Sequence, residues 1–461
     1  GLGRALARQS RFAEALKVWR EAIELSRALG DVECVARLYA RSSRAAWWGG
    51  NGPMSRQLCE EGLKQSATAP ESPGRARLLH EAARANYFGG TPDQGRPLCE
   101  QALAMAERFG VVDVQADALI TQGILLAGQA PQDALKALTK AVQLAEGANL
   151  PNVAFRAHAN LALVKGVIYG WQAACDETQH AVQLGRQAGS VAQEILALYN
   201  LLEGHIVLGE LEQALTTLSR IRQLATELDD PDASDNRIRR LEAAVLLYQG
   251  EWHQSASRLR MAQAEARRQN DLQALFNGDL LLARALLEAY ALAPQAAAGD
   301  WDEAERALIE GMELGRAIGD ADTNAWCRAY LMAVFIGEGR LDEARALLAE
   351  ARSLAKDWPF PSVQVPLLWG EARMATAERR WAEALTALET LADSCAQGAM
   401  RWEQARTLVD WAAVYASRGE PADISRARSL LQESHVLFQE MGIPRYAELV
   451  QERLGTLPGQ T

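Results

Sequence analysis

The sequence predicts an all-α protein, built as a solenoid of about eleven antiparallel helix pairs and closed by a C-terminal cap helix. Three observations predict this fold: a motif that recurs about every 40 residues, apolar residues three and four positions apart, and no sustained alternation of apolar and polar residues. The motif is a bulky residue, two mostly polar residues and then a small residue. It begins, at successive offsets of 40, 41, 49, 40 and 40, at Trp171, Leu211, Trp252, Trp301, Leu341 and Trp381.

Each motif opens the second helix of a pair, and a first helix of similar length precedes it. The clearest second helix runs from Trp301 to Ile318, with apolar residues on one face. By the same pattern, other second helices are predicted to start near Phe12, Pro53, Asp93, Gln132, Trp171, Leu211, Trp252, Leu341, Trp381 and Ala422.

Glycines are predicted to end helices and to form the turns between them, because glycine adopts the left-handed conformation that closes a helix. Gly30 followed by Asp31, and Gly319 followed by Asp320, predict a helix end and the N-cap of the next helix. A tight turn inside each pair is predicted at Gly50, Gly90, Gly170, Gly209, Gly250, Gly299 and Gly339.

Two segments depart from the regular repeat, and both are expected at the surface. Residues 293–298 form an insertion, either a longer first helix or a loop inside the pair, and Trp358-Pro359-Phe360-Pro361 predicts a stiff connection between units. We expect residues 1–461 to form one elongated repeat domain, a fragment of a larger protein, in which units contact only their neighbours. Residues 443–455 are expected to form the capping helix.

Composition favours a folded protein in a reducing compartment, which we expect to be the cytoplasm. The chain is 49% hydrophobic and 23% charged, and none of its six cysteines forms a C-x-x-C pair. A formal net charge of -11 disfavours direct binding of nucleic acid. No apolar run is long enough to cross a membrane, so no membrane partner is expected.

The paired helices, with Trp or Leu and then Ala opening the second one, resemble tetratricopeptide repeats, although the period is about 40 rather than 34. Longer units of this kind, and the C-terminal stretch over residues 427–449, are similar to the arrays of maltose-activator-type signal-transduction ATPases with numerous domains and related bacterial regulators. The resemblance implies a right-handed superhelix that senses an inducer or a protein and controls a switch, with the regulator's own N-terminal domains as one partner.

The sequence contains no pattern typical of a catalytic, metal or cofactor site, so we expect neither an enzyme nor a bound cofactor. Phosphate-binding glycine loops and nucleophile elbows are absent, and the six histidines are scattered singly. Cys59 and Cys99 lie 40 residues apart in matching contexts, which favours equivalent packing positions over a redox pair.

Arginines that recur at the repeat period are the first candidates for a binding surface. Arg4, Arg44 and Arg84 lie 40 residues apart, as do Arg37 and Arg77. Equal positions of stacked units line up in space, so these side chains are expected to form a basic row that binds an acidic peptide or a phosphate group. The alternative is a row of arginines paired with glutamates of neighbouring helices.

Two aromatic pairs, Trp47-Trp48 and Tyr87-Phe88, lie beside these arginines. Adjacent residues on a helix point about 100° apart, so at least one of each pair is expected to line a groove. Aromatic and arginine side chains are common energetic centres of protein interfaces. The sequence therefore predicts a protein-binding or peptide-binding array, with a small-molecule inducer sensor and a self-assembly scaffold as alternatives.

Overall fold

The computed structural model describes residues 1–9, 11–227, 231–269, 271–292, 301–318, 321–358 and 360–457. In these ranges the regular secondary structure is entirely helical. The helices are α1 (Leu2–Arg8), α2 (Phe12–Ala28), α3 (Val32–Trp48), α4 (Gly52–Gln65), α5 (Pro73–Phe88), α6 (Pro92–Phe109), α7 (Val112–Ala127), α8 (Pro131–Gly147), α9 (Pro151–Tyr169), α10 (Trp171–Gln187), α11 (Val191–Val207), α12 (Leu211–Ala225), α13 (Pro231–Gln249), α14 (Trp252–Gln269), α15 (Leu272–Leu292), α16 (Trp301–Ile318), α17 (Ala321–Gly337), α18 (Leu341–Asp357), α19 (Pro361–Ala377), α20 (Trp381–Gln397), α21 (Arg401–Arg418), α22 (Asp423–Glu440) and α23 (Pro444–Thr456).

The order of these helices confirms the predicted architecture. Helices α1 to α22 form eleven consecutive pairs, α23 follows the last pair, and every predicted second-helix start lies within one residue of the observed start. At the helix ends, the Asp31 side chain accepts a hydrogen bond from the Cys34 amide and thereby caps α3. Gly50, Gly90, Gly170, Gly209, Gly250 and Gly339 have positive φ angles. The predictions for residues 293–298, Gly299, Gly319 and Asp320 lie outside the described residues.

The first helix of each pair belongs to the inner layer of the superhelix. First helices pack on one another in succession, as α3 does on α5, α5 on α7 and α17 on α19, in addition to packing on their own partners. Second helices turn one apolar face toward this layer, with Ala134, Leu138 and Ala145 of α8 fully buried. The solvent-facing side of the first helices is therefore the concave surface.

The expectation that units contact only their chain neighbours, leaving an elongated array with open flanks, is wrong. Helix α9 contacts α19, α11 contacts α21, and α13 contacts α23, so helices ten elements apart meet. One turn of the superhelix therefore takes five pairs, and its successive turns touch. A small rotation between successive units accumulates to bring these helices together, and large inward side chains then pack between the turns, as the Tyr248 and Trp402 rings do at 5.1 Å.

The Trp358 segment is also not the surface connection that its prolines predict. Pro361 begins α19 as expected, but the Trp358 side chain is only 5% exposed and packs with Ala325, Ala355 and Val363. Val167 of α9, from the preceding turn of the superhelix, packs against the same cluster. The tryptophan is buried because it fills the space between first helices at a point where two turns meet.

Candidate functional site

Equivalent positions of successive first helices form rows on the concave surface, as the repeat period predicts. Arg37, Arg77, Asp117 and Arg156 occupy one such row, at offsets of 40, 40 and 39 residues. Arg77 pairs with Asp113 at 2.7 Å, and Nε of Arg156 donates to Oδ1 of Asp117 at 3.1 Å. The rows are therefore partly cross-linked by ion pairs between neighbouring first helices.

Arg44 and Arg84, two of the predicted binding residues, both hold Glu81. Nε of Arg44 donates to Oε1 of Glu81 at 2.6 Å, and Nε of Arg84 donates to Oε2 at 3.0 Å. Nη2 of Arg44 also lies 3.5 Å from Asp117. Burial disfavours the Glu81 carboxylate, but the two guanidinium groups outweigh it and lower its pKa to about 2. Arg44 and Arg84 are therefore paired with a glutamate, as the alternative interpretation expected. Their ion pairs link α3, α5 and α7.

An arginine-lined cavity of about 560 Å³, hereafter the arginine cavity, opens on the concave surface beside these ion pairs. Helices α1, α3, α5 and α9 supply its arginines, and the start of α11 also lines it. It brings together three predicted arginines and one predicted tryptophan with residues that the sequence did not single out. Its main lining residues are Arg4, Arg8, Arg41, Arg44, Arg77, Arg156, Glu81, Asp117, Phe12, Trp19, Trp48, Asn152, Ser190 and Gln193.

The remaining predicted aromatic residues form a stack next to this cavity. The Trp47 ring lies 5.0 Å from the Phe88 ring, and the Arg84 guanidinium lies over Trp47 at 4.7 Å. Tyr87 packs edge-on against Phe88 at 5.1 Å, as Trp47 does against Trp48. The two predicted pairs are therefore in contact with each other. Each of the four side chains is half-buried, and Trp48 is the one that lines the arginine cavity.

A second cavity, of about 530 Å³, lies farther along the concave surface and is lined by aromatic residues. This aromatic cavity is formed by the C-terminal ends of α9 and α11 together with α13, α15, α17 and α19. Trp171, Tyr248, Trp326 and Tyr330 line it with the polar side chains of Asn277, Gln364, Gln397, Glu203, Arg284 and Glu403.

Charge in the aromatic cavity is unevenly compensated. Nη2 of Arg284 donates to Glu403 at 2.6 Å, and its guanidinium lies over the Tyr248 and Trp402 rings. Glu203 forms no ion pair within the described part of the chain, and the surrounding cavity walls raise its pKa by excluding part of its water, an effect that Arg240 partly opposes. The cavity therefore offers both a carboxyl group and aromatic faces to a ligand.

One accessible stripe on α9 and another on α11 connect the two cavities. On α9 the stripe consists of Asn152, Arg156, Asn160 and Leu163, and on α11 of Ala192, Leu196, Asn200 and Glu203. These spacings of three and four residues keep each stripe on one helix face. Asn152 and Arg156 line the arginine cavity, whereas Glu203 lines the aromatic cavity.

Sequence reasoning missed both stripes and Arg41, and only some of these residues carried a readable signal. Asn160 and Asn200 lie 40 residues apart, so the repeat period could have identified them as a row of amides. Nδ2 of Asn160 donates to the Arg156 carbonyl oxygen at 2.8 Å. Arg41 had no such signal, because the equivalent residue in the next unit is Glu81 rather than arginine.

The two cysteines with matching contexts occupy equivalent packing positions. Cys59 and Cys99 are each 2% exposed, with Sγ donating to Ser43 Oγ and to the Ala118 carbonyl oxygen respectively. Burial raises the pKa of both thiols to about 12. Within the described ranges, no three His, Cys, Asp or Glu side chains group as metal ligands, and no helix has the length and apolarity to span a bilayer.

Solved structures with similar folds are helical repeat proteins. A Rap protein complexed with the competence and sporulation factor has a TM-score of 0.53 at 11% identity, covering 83% of this chain and 97% of that one. The apo form of RapI has a TM-score of 0.45 at 11% identity, covering 61% and 98%. A signal transduction ATPase with numerous domains and a tetratricopeptide repeat sensor, from Pyrococcus horikoshii, has a TM-score of 0.39 at 10% identity, covering 84% and 66%. No protein-family model matches the sequence, and no curated protein matches it. The likeness to the Rap protein shows that this chain has the fold of a tetratricopeptide-like helical solenoid.

Proposed function

We propose that this protein binds a peptide, or an extended segment of a partner protein, along its concave surface. The observation that carries the proposal is the pair of stripes on α9 and α11, which run between the arginine cavity and the aromatic cavity. The similar Rap protein was solved in complex with the competence and sporulation factor, which is consistent with ligand binding by such a fold. No catalytic step is part of the proposal.

The length of the stripes fits a short extended peptide. Ten residues separate Gln193, at the arginine cavity, from Glu203, at the aromatic cavity. A helix rises about 1.5 Å per residue, so the cavities lie about 15 Å apart along α11. An extended chain covers that distance in about five residues, because each residue spans roughly 3.3 Å. A peptide of about six to eight residues reaches into both cavities.

The chemistry of the stripes fits a peptide backbone. A bound peptide has amide and carbonyl groups that lose water and need hydrogen-bond partners. Asn160 and Asn200 present side-chain amides, which both donate and accept, on adjacent first helices midway between the cavities. Leu163, which is 52% exposed, and Leu196 supply apolar contact beside them. The aromatic cavity then accepts an apolar peptide side chain, as aromatic-lined pockets do.

Affinity selection tests the proposal with a synthetic library of octapeptides that have free termini. Native mass spectrometry is expected to detect retained peptides on the full chain. The double variant Asn160→Ala with Asn200→Ala is expected to bind selected peptides about tenfold more weakly, because two hydrogen bonds are lost. A matched control carries Gln143→Ala and Gln213→Ala, which lie exposed on the second helices α8 and α12. Retention of no peptide, or equal affinity of both double variants, would contradict the proposal.

The repeat resemblance suggests a wider role, which we propose as well: a sensor array of a bacterial multidomain signalling regulator in the cytoplasm. Partner binding on the concave surface would then be the sensed event. The complete coding region tests this role, because a nucleotide-binding switch domain encoded upstream would support it. An upstream region without any signalling or effector domain would count against it.

A further inference from the structure

The arginine cavity contains more positive charge than its own carboxylates compensate. Arg44, Arg77 and Arg156 have carboxylate partners in Glu81, Asp113 and Asp117. In the part of the chain that the structure describes, Arg4, Arg8 and Arg41, which line the cavity, form no ion pair with any carboxylate, and neither does the nearby Arg37. Three guanidinium groups of the cavity are therefore left without a carboxylate partner.

Arg41 is the centre of this uncompensated group. Its pKa is lowered by burial and then by the nearby charges of Arg4, Arg37 and Arg77, which outweigh the opposing effect of Cys34. Like charges at short range repel one another, and the repulsion grows as water is excluded. The whole chain has a formal net charge of -11, so carboxylates are abundant elsewhere in it. An uncompensated cationic group at a cavity in an acidic protein is typical of an anion site.

An independent observation at Gln193, on α11, also indicates a ligand. Gln193 is only 7% exposed and lines the arginine cavity, and its buried Oε1 has no hydrogen-bond partner. An unpartnered buried carbonyl oxygen is costly, since it has lost water and gained nothing in return. A ligand that donates an N–H or O–H group at this position would satisfy it. The cavity volume of about 560 Å³ lies within the range of small-ligand sites.

We propose that the arginine cavity binds an oxyanion, held by Arg41 with Arg4, on a ligand whose N–H or O–H group donates to Gln193. Guanidinium groups pair carboxylate and phosphate oxygens through two parallel hydrogen bonds. The C-terminal residue of a peptide has both groups, a carboxylate and its own amide N–H, and so does a phosphorylated small molecule with a hydroxyl group. The site goes beyond the proposed peptide binding, because either a peptide C-terminus or a phosphorylated small molecule could provide the oxyanion.

Isothermal titration calorimetry with inorganic pyrophosphate at low ionic strength tests the site on the full chain. We expect a dissociation constant of about 1 mM or tighter, from two charged hydrogen bonds. Arg41→Gln is expected to weaken binding by roughly tenfold to one hundredfold. The matched control is Arg20→Gln, which removes the same charge from an exposed position on the outer helix α2. Pyrophosphate binding that is absent from the wild type, or equal in the two variants, would overturn the proposal.

Thermal unfolding separates loss of the site from loss of the fold. Arg41→Gln is expected to keep or raise the melting temperature, because it removes repulsion and breaks no ion pair. If Arg41→Gln instead lowers the melting temperature, the pyrophosphate titration is repeated with Arg4→Gln, whose side chain is exposed on α1. Undiminished pyrophosphate affinity in that variant would also overturn the proposal.

Two peptide pools then identify the source of the oxyanion. The octapeptide library is compared in its free-acid and C-terminally amidated forms, with pyrophosphate as competitor. Preference for the free acid, and its displacement by pyrophosphate, assigns the site to a peptide terminus. Pyrophosphate binding without retention of either pool assigns it to a small anion, in which case the peptide proposal fails while the oxyanion site stands.

Discussion

Replacement of Asp279 by asparagine is expected to stabilise the protein at neutral and alkaline pH. Asp279 lies on α15, has no exposed surface, and its Oδ2 has no hydrogen-bond partner. Its Oδ1 accepts a hydrogen bond from Nε2 of Gln263. Burial and then the nearby charge of Glu310 raise the pKa of Asp279 from 3.8 to about 8. The folded protein therefore favours the neutral acid, which asparagine imitates in shape and charge.

The sign and size of the effect follow from proton linkage. Between about pH 4 and pH 8 the folded state binds this proton more tightly than the unfolded state, so stability falls as pH rises and levels off above pH 8. Each pH unit in that window costs about 1.4 kcal/mol. The gain in unfolding free energy of Asp279→Asn over the wild type is therefore expected to grow from at most about 2 kcal/mol at pH 5 to at most about 5 kcal/mol at pH 8.

Urea unfolding, followed by circular dichroism at several pH values between 5 and 8, measures this difference. Asp393→Asn is a matched control, because it removes the same charge from an exposed position on α20. The control is expected to shift stability by less than about 0.5 kcal/mol at every pH. An advantage of Asp279→Asn that does not change with pH, or a loss of stability at pH 8, would refute the reasoning.

Two further substitutions test the contacts between helices. Glu81→Gln removes the carboxylate that Arg44 and Arg84 share. It is expected to lower the unfolding free energy of the N-terminal units by about 3 to 5 kcal/mol, measured by urea unfolding. An effect no larger than that of Glu60→Gln, at an exposed position, would contradict this. Tyr446→Phe removes the hydroxyl that accepts a 3.0 Å hydrogen bond from Trp252 Nε1. A loss of about 1 to 3 kcal/mol is expected, with faster hydrogen exchange in α14, and unchanged exchange there would show that the contact contributes nothing.

Local patterns in the sequence predict the helices well because each pair repeats one set of short-range contacts. Trp301 and Leu341 begin α16 and α18 as expected, and the Trp301 ring lies against Gly337 of the following first helix, α17. The alignment of Arg44 with Arg84 was equally readable from their spacing. Their shared partner was not, because Glu81 occupies the row position of Arg41 rather than of either arginine.

The contacts between turns of the superhelix could not be predicted in the same way. They depend on a small rotation between successive units, which accumulates over five pairs before α9 meets α19. No short segment of sequence specifies that sum. The presence of Gln193 and Arg41 in one cavity depends on the same rotation, so the binding surface could be located only in part from the spacing of Arg4, Arg44 and Arg77.

Contact between successive turns changes how this chain loses its structure. In an open solenoid, terminal units can unfold individually, because each is held by a single neighbour. Here one continuous hydrophobic cluster extends from Phe155 to Leu454, and the last helix rests on Trp252. Helix α23 is therefore anchored to the middle of the sequence, and we expect it not to fray separately. The first hundred residues, whose buried apolar clusters are smaller, are the part that we expect to melt first.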